Sequence, residues 1–137
     1  MKKLFTLFVF VFVACFLKAQ YVTKTEWEAI DVPQKVKTNF NKKYPDTKVK
    51  SWYKVGSATY EVLIKNGKNT ELIIFDWEGR VGEKLLLVKS KELPKDKKKM
   101  LQEKYKDLKI THVFRNVENK SMVFEGLNKG AVYQIHL

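Results

Sequence analysis

The chain has 137 residues, one cysteine and a formal charge of +12. That is enough for one domain of ordinary size and too little cysteine for a disulfide framework. Only Arg80 and Arg115 of its 27 basic residues are arginines. A dispersed lysine charge lacks the forked donor that reads phosphates and base edges, which argues against a nucleic-acid partner.

Residues 1–19 read as a secretory signal peptide. Lys2 and Lys3 form the positive start, and Leu4 to Leu17 are almost wholly apolar, a run shorter than the roughly 20 residues a membrane span needs. "LKAQ" places the cleavage between Ala19 and Gln20, so the mature chain is expected in the periplasm or outside the cell. The alternative is "FVAC", in which Cys15 resembles a lipidated cysteine; membrane contact is expected only in that case. With the leader removed no cysteine remains. Without Lys2, Lys3 and Lys18 there are 24 basic residues against 15 acidic ones, a charge of +9.

The mature chain, 20–137, reads as a single domain. Residues 20–31 lead in. Val32, Val36, Phe40 and Tyr44 then form one helical stripe opposed by lysines, with Asp31 as expected N-cap, Pro33 in the first turn and Pro45 as the stop. "KVKSWYKV", "TYEVLIK", "TELIIFDW" and "VGEKLLLVK" read as four strands separated by turns at Gly56-Ser57, Asn66-Gly67 and Glu78-Gly79. A second helix carries Leu93, Met100, Leu101, Tyr105 and Leu108, and "KITHVFRN", "SMVFEGL" and "AVYQIHL" follow as strands.

The two halves echo one another. Pro33 lies over Pro94, Tyr44 over Tyr105, Asp46 over Asp107, Val49 over Ile110 and Tyr53 over Phe114. After one added residue, Val62 lies over Phe124 and Ile73 over Ile135. The expected fold is therefore α+β. It consists of tandem helix-plus-antiparallel-sheet modules, α-β-β-β-β (about 32–90) then α-β-β-β (about 92–137), with the helices on one face of the sheet.

"VPQKVKTNFNKKYPDTKVKSWYKV", "YEVLI" and "FDWEGRV" resemble the PepSY-like, or β-lactamase-inhibitor-protein-like, exported domains of Bacteroidetes-type bacteria. The resemblance rests on Val32-Pro33, Tyr44-Pro45 and the Phe75-Asp76-x-x-Gly79 turn. It implies tandem helix-and-sheet modules and an inhibitory or regulatory role, and it carries no catalytic residue across. The second unit departs from it: Lys106 stands where the proline would be, and the second turn motif is absent.

No catalytic, metal or cofactor constellation is expected, and the chain is not expected to be an enzyme. His112 and His136 lack ligand spacing. Asp76 and Glu78 read as turn residues, and no glycine-rich phosphate loop is present. The basic run Lys89–Lys99 reads as a linker and a solvated first turn. The candidate binding surface is the sheet face opposite the helices. Strand alternation puts Trp52 there with Lys50 and Lys54, beside Leu63, Leu72 and Ile74. In this reading Trp52 anchors another envelope or secreted protein and the lysines steer an acidic partner. Two alternatives stand: the lead-in segment, with Tyr21 and Trp27, covers this face; or the protein is a structural envelope protein whose lysines bind acidic polymer or membrane surface.

Overall fold

The computed structural model of the protein describes residues 21–136. The expected signal peptide, its cleavage site and Cys15 lie outside the described residues.

The expected open sheet is corrected by the structure to a closed, mostly β barrel. Its strands are β1 (Tyr21–Trp27), β2 (Lys48–Val55), β3 (Thr59–Asn66), β4 (Asn69–Asp76), β5 (Val81–Val88), β6 (Lys109–Asn116), β7 (Met122–Asn128) and β8 (Ala131–His136). Each strand pairs antiparallel with the next, and β8 returns to β1. The segment 20–31 causes the difference. Its Tyr21–Trp27 is a strand paired to β2 at Lys24↔Val55 and to β8 at Tyr21↔Ile135, so both edges of the sheet are consumed.

Helix α1 (Gln34–Lys43) follows β1, and α2 (Lys95–Lys104) follows β5. The element order is thus β-α-β-β-β written twice. The strand expected to end the first unit opens the second, so each unit holds four strands.

Both helices lie on the outer wall. Val36 and Phe40 of α1, with Val32 just before it, bury against Trp52, Tyr60, Val62, Ile64, Ile73 and Phe75. Phe40 meets Trp52 edge-on at 5.4 Å and Phe75 at 6.3 Å. Leu101 of α2 does the same against Val113, Met122, Phe124 and Ile135. The residues at the helix N-caps are Pro33 and Pro94, not Asp31, which lies in a short 3-10 turn at Ala29–Asp31. Tyr44 and Tyr105 close the helices in the same way, their N–H groups donating to the carbonyls of Phe40 and Leu101.

A third cluster, Leu72, Leu85, Phe114 and Val123 with Leu63 and Ile74, fills part of the lumen. Bulges on β2 and β6, besides a third register slip between β4 and β5 at Ile74/Phe75, decide which residues face it. The register slips between Val49 and Ser51 on β2 and again between Ile110 and His112 on β6. An extra residue reverses the alternation. Val49 and Trp52 therefore share the outer wall, while Ser51 and Tyr53 turn inward. The two bulges sit at equivalent places in the two units, so the duplication extends to backbone irregularities.

Gly79 fixes the β4–β5 corner against α1. Its φ is +83°, a Cβ there would lie 2.7 Å from the Lys35 carbonyl oxygen, and the Gly79 carbonyl accepts from Asn39 Nδ2 at 2.8 Å. Gly67 has φ +59° but open space around it. Gly67→Ala should therefore lose about 1 kcal/mol, for the left-handed backbone alone. Gly79→Ala should lose roughly 3 kcal/mol, because overpacking adds to the backbone term. Urea unfolding of the two variants side by side measures the difference; equal losses would mean that the Gly79–α1 contact is not tight.

Candidate functional site

The expected patch does not assemble as one exposed face. Trp52 is 7% exposed and packs under α1. Leu63, Leu72 and Ile74 face the lumen, on the other side of the wall. Lys50 is exposed at the bulge, and Lys54 lays its Nζ over the rings of Trp27 (4.7 Å) and Tyr60 (5.6 Å). Trp27, from the lead-in, meets Tyr60 edge-on at 5.8 Å, so this strand covers part of the outer wall.

The lumen holds what the sequence reading did not single out. Lys24 Nζ pairs with Glu61 Oε2 at 2.9 Å and hydrogen-bonds Glu125 Oε1. It also lies 4.1 Å from the centre of the Tyr53 ring and 5.7 Å from that of Phe114. These partners come from β3, β7, β2 and β6, which one side chain can reach only across the barrel interior. Gln134 Nε2 donates to both oxygens of Glu61, at 2.8 and 2.9 Å. Lys24, Glu61, Glu125 and Gln134 are all buried. A charge or amide in such a place must be partnered, and these partner one another. Burial alone would lower the Lys24 pKa, but attraction by Glu61 and Glu125 outweighs it and holds the ammonium above its ordinary value.

The duplication shows how unusual this set is. Shifted by the repeat, Lys24 corresponds to Leu85, Glu125 to Leu63, Gln134 to Leu72 and Glu61 to Val123. The registers agree: Lys24↔Val55 matches Leu85↔Asn116, and Leu63↔Ser51 matches Glu125↔His112. One half of the lumen is thus leucine and valine, and its mate is ionic. Close packing is met by the apolar set, and a buried ion cluster is no more stabilising than its apolar counterpart. The equivalence shifts by two residues only at the closing seam, where Gln134 pairs with Val22 while Leu72 pairs with Leu85.

The ionic set lies in the lumen below one end of the barrel. At the end of the barrel where β1, β3, β5 and β7 finish, the last inward positions are Glu26, Lys65, Leu87, His112 and Leu127, all exposed, with Ser51, Thr70 and Val132 half-buried. One pleat deeper, Lys24, Leu72, Leu85, Phe114 and Glu125 are buried and Tyr53 and Leu63 half-buried, and Glu61 lies a pleat below Leu63. Leu87 and Leu127 are large apolar side chains left 39% and 40% exposed. A cleft of about 620 Å³ lies along the β5–β6 side of this rim, lined by Thr70, Leu87 and His112 together with the outward-facing Leu86, Val88, Val113 and Arg115. β-Barrel mouths are among the usual places for binding sites.

The remaining candidates settle elsewhere. His112 Nδ1 lies 3.5 Å from Glu125 Oε2 and His136 Nε2 lies 3.2 Å from Gln134 Oε1; the two rings hold different partners. No group of three metal-ligating side chains occurs among the described residues. Asp76 Oδ1 accepts from the backbone N–H of Glu78 and Arg80, and Oδ2 pairs with Arg80 Nε at 2.6 Å. The Arg80 side-chain bond, with that backbone N–H, holds the Asp76 carboxyl below its ordinary value. The basic run forms a 3-10 turn at Ser90–Glu92 and the start of α2, where the Lys89 N–H donates to Glu92 Oε2 at 3.3 Å.

The missed residues did leave a signal. Glu61 in "TYEVLI" and Glu125 in "MVFEGL" are single charges inside apolar strands, and such residues are buried only when paired. No family model, curated protein or solved structure matches the chain, so the PepSY-like resemblance rests on its short motifs alone.

Lys24→Met should destabilise the protein by about 3–5 kcal/mol at neutral pH, because it strands two buried carboxylates. Copying the apolar half, with Lys24→Leu, Glu61→Val, Glu125→Leu and Gln134→Leu together, should leave stability equal or higher. Chemical unfolding reports both. In the unaltered protein the raised Lys24 pKa gives stability that is complete below the ordinary lysine value of 10.5. It is lost as pH rises through the higher folded value.

Proposed function

We propose that the chain is an exported, non-enzymatic binding domain that engages another envelope or secreted protein through the open end of the barrel, as an inhibitor or regulator of that protein. The observation that carries this reading is the half-exposed pair Leu87 and Leu127 at the rim of an otherwise filled lumen. Apolar side chains at the mouth of a concave site gain most when a partner covers them, and the exposed lysines around it steer an acidic partner by long-range attraction. The inhibitory element comes from the PepSY-like resemblance. The expected leader supports export, with Cys15 lipidation as the alternative route to the envelope.

A second reading has the lysines bind acidic polymer or membrane surface. It is favoured by α2, where Lys95, Lys98, Lys99 and Lys104 are all exposed. Salt separates the two, since exposed charge contacts are screened within about 8–10 Å at physiological ionic strength and apolar burial is not.

Capture from envelope extract with unaltered protein, Leu87→Asp and Leu127→Asp is the test. Recovery of a partner in 0.5 M salt that falls at least tenfold with either variant supports the rim. Recovery that vanishes with salt and ignores both variants favours the lysine reading.

A further inference from the structure

We infer that the cleft where β5 leaves the barrel wall accepts an oxyanion carried on an apolar stem. This site goes beyond the protein partner proposed for the rim and does not depend on it. Strand β6 begins at Lys109, yet it pairs with β5 only from Val113 to Asn116. Strand β4 begins at Asn69, yet it pairs with β5 only from Glu71 onward. The wall therefore has a notch one strand wide, about 10 Å between β4 and β6. The cleft of about 620 Å³ lies along it, a volume usual for a small-molecule site. Its walls are apolar at Leu86, Val88, Ile110 and Val113.

The topology makes this notch twice, and the residues in it differ between the copies. β1 ends beside β2 as β5 ends beside β6, and a cleft of about 490 Å³ there is lined by Trp27, Val49 and Trp52. Shifted by the repeat, Trp27 and Trp52 become Val88 and Val113, so two valines stand where two indoles fill the first copy. Glu26 and Glu28 become Leu87 and Lys89, which turns acidic positions apolar and cationic. In the first copy Lys54 lays its Nζ over the rings of Trp27 and Tyr60. Lys54 corresponds to Arg115, and those two rings to Val88 and Met122. Arg115 is exposed, and its guanidinium has no hydrogen bond, ion pair or ring contact among the described residues.

Lys68 and Lys89 also line the cleft, and their ammonium groups form no ion pair among the described residues. The one carboxylate in the lining, Glu92, accepts the Lys89 backbone N–H at 3.3 Å. Three cations against one carboxylate leave a surplus of positive charge beside an apolar wall. The planar fork of arginine matches an oxyanion with two parallel hydrogen bonds. The stem would lie along Leu86 and Val88.

Titration of the folded protein with hexanoate, hexyl phosphate, acetate, hexanol and hexylammonium, followed by amide NMR, tests the site. Saturable shifts at Val88, Thr111 and Arg115 are expected with hexanoate or hexyl phosphate, at least tenfold tighter than with the other three. Either anion supports the inference, and the tighter one identifies the headgroup as carboxylate or phosphate. Arg115→Gln, at an exposed position, should weaken that binding at least tenfold. Lys42→Gln, which removes an equal charge from the exposed side of α1, should not. Acetate, hexanol or hexylammonium binding as tightly, no saturable anion binding, an unaffected Arg115→Gln, or equal weakening by Lys42→Gln would each overturn the inference. Should Arg115→Gln fail to fold, Lys68→Gln with Lys89→Gln must weaken the anion at least tenfold; unchanged binding overturns the inference. Capture of a protein partner is read at Leu127, which does not line the cleft, so the two proposals fail separately.

Discussion

Seven residues, Tyr21–Trp27, hold the architecture together. They form the one strand that bonds to both β2 and β8 and turns a seven-stranded sheet with two free edges into a closed wall. The same strand delivers Lys24 to the lumen. Closure and charge balance are therefore linked: the strand that seals the barrel also carries the counterion of Glu61 and Glu125. The low dielectric that makes a lone buried carboxylate costly also makes the completed Lys24–Glu61–Glu125–Gln134 set sensitive to the loss of any member.

The two halves of the barrel keep the same outer wall and differ inside. Phe40 and Leu101 occupy matching places on the two helices, and Val62 and Ile73 match Phe124 and Ile135 beneath them. All are apolar, as helix-to-wall packing demands. The lumen is under a looser constraint, since only volume and polar satisfaction must be met. One half meets it with leucine and the other with ions. The apolar half shows what packing alone requires, so the ionic half carries a requirement of another kind.

Much of the local structure was legible in the sequence. The apolar stripe through Val36 and Phe40, the prolines opening both helices, and the hairpin at Asn66-Gly67 are written in propensity and period. Three features were not. The bulges in "KVKSWYKV" and "KITHVFRN" leave no letter behind, so simple alternation sent Trp52 to solvent. β1 hides because its inward residues include Lys24 and Glu26. A strand with charges on its buried side does not announce itself by hydrophobic period. Closure, finally, is a property of eight pairings together and of no single segment.

Because β1 and β8 are antiparallel neighbours, the described chain enters at Tyr21 and leaves at His136 side by side, at the pole opposite Leu87 and Leu127. A leash fastened upstream of Tyr21, whether a lipid, a surface or a fused domain, would hold the barrel by its base and leave the cup facing outward. The fold thus sets the pole of Tyr21 and His136 apart from the rim of Leu87 and Leu127 by the full height of the barrel.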